Sequence, residues 1–367
     1  MVIKSSTDLA AGGMMRLENL IDELILKKLL LPDTHSQIVA TLQQEREVNP
    51  WFITAMVGVS AWLSVILFLF FIFLSNIIND ANSAIIVGLI LLSVTIFLHY
   101  SQKDQLFVEQ LSLALNLTGQ ILFIGGIGAT DGNIIAAALV TWFLEIFIIF
   151  FYKNNILRFL AVLIATLAAL VLLYEFRLYQ GIHIVIILLA AGASWYWLAE
   201  SDHLTDKIMA SLYQPLGYGF VIGLQIVLLL SVMPDIPSIP NITWWYSTIG
   251  LIIILIMLEI YLLDGYDISM SAPQSYAIFG STILVGLLLF QSPGIIASII
   301  ILALGFQRGN KILMGLAIIF LTLFIIEFYY NLDITLLMKS VSLITTGIAL
   351  LSLRFVFKYI FPLVQGE

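Results

Sequence analysis

Apolar residues fill the chain between Trp51 and Pro362 in runs of roughly 20, each closed by a short polar break. A hydrocarbon core about 30 Å thick takes about 20 helical residues to cross, so each run is long enough to span a bilayer. About twelve spans are predicted, over 51–77, 83–99, 106–128, 133–152, 155–174, 181–199, 208–232, 244–263, 275–291, 294–307, 311–329 and 334–358. The ninth and tenth are the weakest of these. Only Gln291-Ser292-Pro293-Gly294 joins them, and the tenth is short enough to be tilted or re-entrant. The fold class expected is all-α, a polytopic transmembrane helix bundle over residues 51–367.

Residues 1–50 change the pattern. Leu17, Leu20, Ile21, Leu24 and Leu31 fall on one stripe at helical spacing, among Glu18, Asp22, Glu23, Lys27 and Lys28. Pro32 stops that helix, and Thr34 with Gln37 can cap a second one carrying Ile38, Val39 and Leu42. A small cytosolic helical hairpin results. It suits a lid on the spans, a docking site for a partner, or an interfacial helix with Lys27 and Lys28 among headgroups.

Composition narrows the class further. The chain has 367 residues, 61% of them hydrophobic and only 10% charged, where a soluble domain carries about 25%. A net charge of -8 argues against nucleic acid, which needs a basic stripe. There is no cysteine, so disulfides, thiolate catalysis and cysteine-bound metals are excluded. Twelve spans leave about 75 residues of 51–367 for connections, too few for a soluble catalytic domain. The polar head holds no apolar stretch followed by a small-residue cleavage site, so the first span is expected to act as the insertion signal.

Lys and Arg in the short loops set an orientation. With the N-terminus inside, the cytoplasmic side carries Lys4, Arg16, Lys27, Lys28, Arg46, Lys103, Lys153, Arg158, Lys207, Arg308, Lys311, Arg354 and Lys358, against Arg177 alone outside. Both termini are then cytoplasmic. Trp51, Trp195 and Trp197 on the inner side, with Trp244 and Trp245 on the outer, sit where aromatic belts form.

Polar residues within the spans are the candidate chemistry, because an ionisable group at the bilayer centre costs about 2.5–3.5 kcal/mol on insertion scales. Glu145, deep in the fourth span, is the clearest. Either it is buried neutral against another helix, or it carries protons or binds a cation. Asn116 and Gln120 share one face of the third span at i, i+4, beside Gly119, and are read as helix-packing contacts or as a complement to Glu145. In the seventh span Gln214-Pro215-Leu216-Gly217-Tyr218-Gly219 predicts a kink. A second charged cluster gathers at the outer ends of the last two spans, where Glu327, Asp333 and Lys339 can pin a hairpin or read an external ligand, and Arg177 and His183 lie at the same membrane face.

Nothing in the sequence calls for a cofactor or a resident metal. Four scattered histidines make no ligand spacing. Residues 125–133 lack the Gly-Lys-Ser/Thr ending of a phosphate loop, and no Gly-x-Ser-x-Gly elbow occurs.

The stretch from Phe328 to Ser340, with Gly347, Leu350, Leu351 and Arg354 after it, resembles a pattern of bacterial multipass membrane proteins of unknown function. Those proteins also begin with a short cytosolic hairpin and are commonly encoded beside a small membrane protein bearing Gly-Asp-Tyr-x-x-Leu. The resemblance implies a bacterial inner-membrane location and a small membrane-protein partner, and it transfers no catalytic residue. Three readings are open at this point: a transporter or translocation subunit for a small solute, ion or lipid; a scaffold or sensor built with that partner; and an intramembrane lipid-modifying enzyme using Glu327, Asp333, Arg177 and His183.

Overall fold

The computed structural model describes residues 51–101, 106–130, 132–152, 154–198, 207–230 and 242–331, with single positions between 337 and 352. The hairpin expected over 1–50 lies outside the described residues. So does nearly all of the twelfth span, whose described positions Leu337, Ser340, Val341, Ile344, Ile348, Leu351 and Ser352 are helical and exposed.

Every described element is helical. In chain order these are α1 (Trp51–Leu74), α2 (Ala81–Ser101), α3 (Leu106–Ala129), α4 (Ile134–Phe151), α5 (Asn155–Glu175), a short 3-10 turn (Tyr179–Gly181), α6 (Ile182–Leu198), α7 (Lys207–Leu229), α8 (Trp245–Gly265), α9 (Pro273–Leu288), α10 (Pro293–Gln307) and α11 (Lys311–Asn331). Nine of the described helices are long and apolar enough to cross a membrane. Their large exposed side chains include Phe70, Phe143, Leu188 and Ile253, whereas Thr95, Asn116, Gln120, Thr141, Glu145 and Gln225 are buried. That inversion suits a lipid solvent, which rewards apolar outer faces and lets polar groups meet only between helices. The chain is a multi-pass membrane protein.

The chain divides into two compact units. One comprises α1 up to Phe70 with residues 98–114, where Gly58 of α1 lies against Gln110 of α3 and Ala61 and Val65 are buried. The other holds residues 71–97 and everything from Leu115 onward. Its helices pack as α4 on α5, α5 and α6 on α7, α6 on α8, α8 on α9, α10 on α6, α7 and α8, and α10 on α11. The core sits where α6, α7, α8 and α10 meet, built from Ile186, Leu224, Leu228, Leu251, Ile300, Ile301 and Leu304.

Local chemistry explains the element ends. Asp80 and Ser83 form a reciprocal cap on α2: the Ser83 amide donates to Asp80 Oδ1 at 2.8 Å, and the Asp80 amide donates to Ser83 Oγ at 3.1 Å. The Ser83 side chain and amide hold the Asp80 carboxyl below its ordinary range. Between α10 and α11, Gly309 takes a left-handed φ of 60°. Arg308 then donates from Nε to the Trp197 carbonyl at 2.5 Å and from Nη2 to the Leu198 carbonyl. Asn310 accepts from the amides of Ile312 and Leu313 and donates to the Tyr218 hydroxyl at 2.8 Å. One short loop thus ties the ends of α6, α10 and α11 to α7.

Helix α7 continues through Pro215 without a break, and its glycines serve close packing: a Cβ at Gly217 would sit 3.1 Å from the Trp197 ring, and one at Gly219 2.9 Å from Val162. Two expectations change. Trp197 is only 2% exposed, between Tyr213 and Tyr218; it packs the core and is no belt residue. Arg158, expected among the loop cations, lies in the first turn of α5 at 3% exposure.

Candidate functional site

Helix α4 buries Ala137, Ala138, Thr141, Glu145 and Ile148. Their three- and four-residue spacing makes one face, and the opposite side exposes Phe143, Phe147 and Phe150. Asn133 starts the helix by accepting from the Ala136 amide at 2.9 Å. The chain then turns at Tyr152, and Asn154 starts α5 by accepting from the Leu157 amide at 3.0 Å. The two helices pack on each other. Counting outward from the turn sets Glu145 level with Ala161 and Ile148 level with Arg158.

Glu145 is 0% exposed. Neither of its carboxyl oxygens has a hydrogen-bond partner. Its nearest hydroxyl along the helix, Thr141, donates to the Ala137 carbonyl at 2.8 Å instead. Ala161 and Val162 present small apolar side chains on α5, and Thr166 donates to the Val162 carbonyl at 2.7 Å. A carboxyl in such surroundings is rare, because buried polar groups are almost always paired.

Asn116 and Gln120 are organised differently. Gln120 Nε2 donates to Asn116 Oδ1 at 2.7 Å, Asn116 Nδ2 donates to Thr95 Oγ1 at 3.2 Å, and Thr95 donates to the Leu92 carbonyl at 2.7 Å. The chain of bonds crosses from α3 to α2, which glycines bring close: a Cβ at Gly88 would lie 2.6 Å from the Phe123 backbone nitrogen. No hydrogen bond joins this pair to Glu145.

At the far end of α5 and α6, His183 is buried. Its Nε2 pairs with Gln180 Oε1 at 2.8 Å and its Nδ1 with Ser247 Oγ at 2.7 Å on α8. An amide oxygen only accepts, so Nε2 carries the hydrogen and Nδ1 accepts from Ser247. Thr243 also donates to Gln180 Oε1, and the rings of Trp244 and Tyr246 flank the imidazole. Both ring nitrogens are therefore engaged away from Arg177, which sits exposed in the turn at φ 56°. Glu327 is half-buried on α11; its expected partners Asp333 and Lys339 lie outside the described residues.

Three further polar groups pair between helices; the sequence reading missed Thr95 and left Gln225 and Glu259 without a partner. Thr95 pairs with Asn116. Gln225 of α7 reaches Ser298 of α10 at 3.4 Å and leaves Oε1 without a partner. Glu259 of α8 accepts from Thr282 of α9 and leaves Oε2 without one. Two of these contacts join consecutive helices and the Gln225–Ser298 one joins residues 73 apart, each signalled only by a polar residue inside an apolar run. Among the described residues, no three His, Cys, Asp or Glu side chains gather as a metal site would require.

A family model described as a domain of unknown function (DUF4401) matches residues 50–360, and the chain belongs to that family. No curated protein and no solved structure matches it.

Proposed function

We propose that the chain is a transport protein of the bacterial cytoplasmic membrane, or the membrane subunit of a translocation complex, with Glu145 as its working ionisable centre. Its cargo is a small solute, an ion or a lipid. Both termini face the cytoplasm, in keeping with the excess of Lys and Arg in the loops assigned to that side. In a complex, the second subunit is the small membrane protein that the C-terminal pattern implies.

One observation carries the reading: Glu145 is wholly buried in a membrane helix with both carboxyl oxygens unpartnered. Ionisable groups at that depth are expensive and mark ion pathways and proton relays. A carboxyl kept only for packing would be expected to hold a donor, as Glu259 holds Thr282. In transport, the site must open to water in another state of the protein.

The absence of cysteine makes the test direct. Single cysteines at Ala138, Thr141 and Glu145 are offered to a membrane-impermeant thiol reagent from each side of sealed vesicles. The reading expects water-borne labelling at Thr141 and Glu145 although both are buried here. Labelling by a lipid-soluble maleimide alone, with none from either aqueous side, refutes it.

A further inference from the structure

We infer that the ligand of Glu145 is a proton and not a metal cation. The inference rests on the transport reading for its purpose, and on the side chains around the carboxyl for its chemistry. A carboxylate sealed between helices must have its charge neutralised by a cationic side chain, a metal ion or a proton.

A cationic side chain does not fill the role. Neither oxygen of Glu145 has a hydrogen-bond partner. The charged residue that the facing helix α5 buries is Arg158, about one turn nearer the hairpin end. Its Cα–Cβ bond leans toward the N-terminus of α5 and that of Glu145 toward the N-terminus of α4, so the two bonds point apart. At the other end of α5, Glu175 lies about four turns beyond the level of Glu145. The part of α3 in the same unit, residues 115–129, carries no ionisable residue.

A metal ion is equally poorly served. Ca2+ takes about six to eight oxygen ligands and Mg2+ about six, and alkali cations need a comparable ring of oxygens to replace their water. Glu145 offers two oxygens, and the Thr141 hydroxyl one turn away is a third. Backbone carbonyls supply no ring of ligands: α4 is helical from Ile134 to Phe151 and α5 from Asn155 to Glu175, so theirs point along the helix axes into the ladders, and the Ala137 and Val162 carbonyls also accept from Thr141 and Thr166. The side chains level with Glu145 on α5 are Ala161 and Val162. A proton needs one oxygen and no ring of ligands. The donor set fits that ion.

Dicyclohexylcarbodiimide, a lipid-soluble reagent that adds to the protonated carboxyl, reads the site in the full-length protein in native membrane vesicles. The O–H proton goes to a carbodiimide nitrogen as oxygen bonds to its carbon, and acyl migration leaves a stable N-acylurea that mass spectrometry locates. The expected result is labelling at Glu145 whose rate falls about tenfold per pH unit above the midpoint of the group. Excess Na+, K+, Mg2+ or Ca2+ leaves that rate unchanged, Glu145→Gln loses the adduct, and Glu259→Gln keeps it. Protection by any of those cations, or no adduct at Glu145 from acid to alkaline pH, overturns the inference. Its failure is separable from that of the transport reading. Labelling as expected without water access to Thr141 and Glu145 leaves a proton site that transports nothing. Water access with Na+ protection leaves a transporter of another ion.

Discussion

Replacing Gly88 by alanine tests the account of how α2 and α3 meet. An added Cβ would lie 2.6 Å from the Phe123 nitrogen, 2.8 Å from the Gly119 oxygen and 2.9 Å from the Phe123 Cα. All three are backbone atoms, so no rotamer change relieves the clash. The helices must part by about 0.8 Å to reach ordinary contact, and a gap of that size forfeits a quarter to a half of each dispersion contact along the seam. The Asn116–Thr95 bond, already 3.2 Å long, is lost with it. Overpacking of this kind costs about 1–3 kcal/mol. Gly125 is the control. Nothing lies within 4 Å of its Cβ position, so Gly125→Ala gains about 0.5–1 kcal/mol from helix propensity alone. Unfolding in mixed micelles, titrated with a denaturing detergent and followed by tryptophan fluorescence, ranks the variants. Gly88→Ala should unfold first and Gly125→Ala last. Equal stability of the two would refute the close approach of α2 and α3.

Other outcomes follow from single contacts. Arg308→Met removes the donors to the Trp197 and Leu198 carbonyls and should cost about 1.5–3 kcal/mol per charged bond in the same unfolding assay, with Arg308→Lys recovering part of it. A double-mutant cycle of His183→Phe and Ser247→Ala should show coupling of about 0.5–2 kcal/mol; additivity within about 0.5 kcal/mol would show that their bond contributes nothing. The Asp80 carboxyl is lowered in the folded chain, so its cap contributes above the unfolded carboxylate value and is lost as pH falls through the folded one. Wild-type thermal stability should therefore drop in acid more than that of Asp80→Asn, which caps α2 without titrating.

The run lengths of apolar residues made the helices legible. The eleven spans predicted up to residue 329 end within three residues of α1 to α11, because short polar breaks are where a chain can leave the hydrocarbon. The brevity of α9 and α10 was legible too. At 16 and 15 residues they reach about 24 and 22 Å, less than the hydrocarbon thickness. What the pattern could not show was which face of each helix is buried. In lipid both faces are apolar, so the amphipathic stripe that marks a core face in water is missing. Arg158 and Trp197 read as surface residues for this reason, yet both are buried. The glycines of α7 were legible as loosening the helix around Pro215, whereas their part in seating Trp197 and Val162 was not. Glu145 was legible as an ionisable group out of place. Its lack of any partner was not, since that depends on α5 presenting alanine and valine opposite it.

In the proposed role, Glu145 does work that an uncharged isostere cannot do. Wild-type protein and Glu145→Gln, reconstituted at equal amounts of folded protein into liposomes holding a pH-sensitive dye, are compared under an imposed proton gradient and a K+ diffusion potential. Proton movement well above protein-free liposomes is expected for the wild type, with a fall to that background for Glu145→Gln, whose fold and stability are kept. Equal proton movement by the two proteins would contradict that role, as would a wild type no faster than empty liposomes.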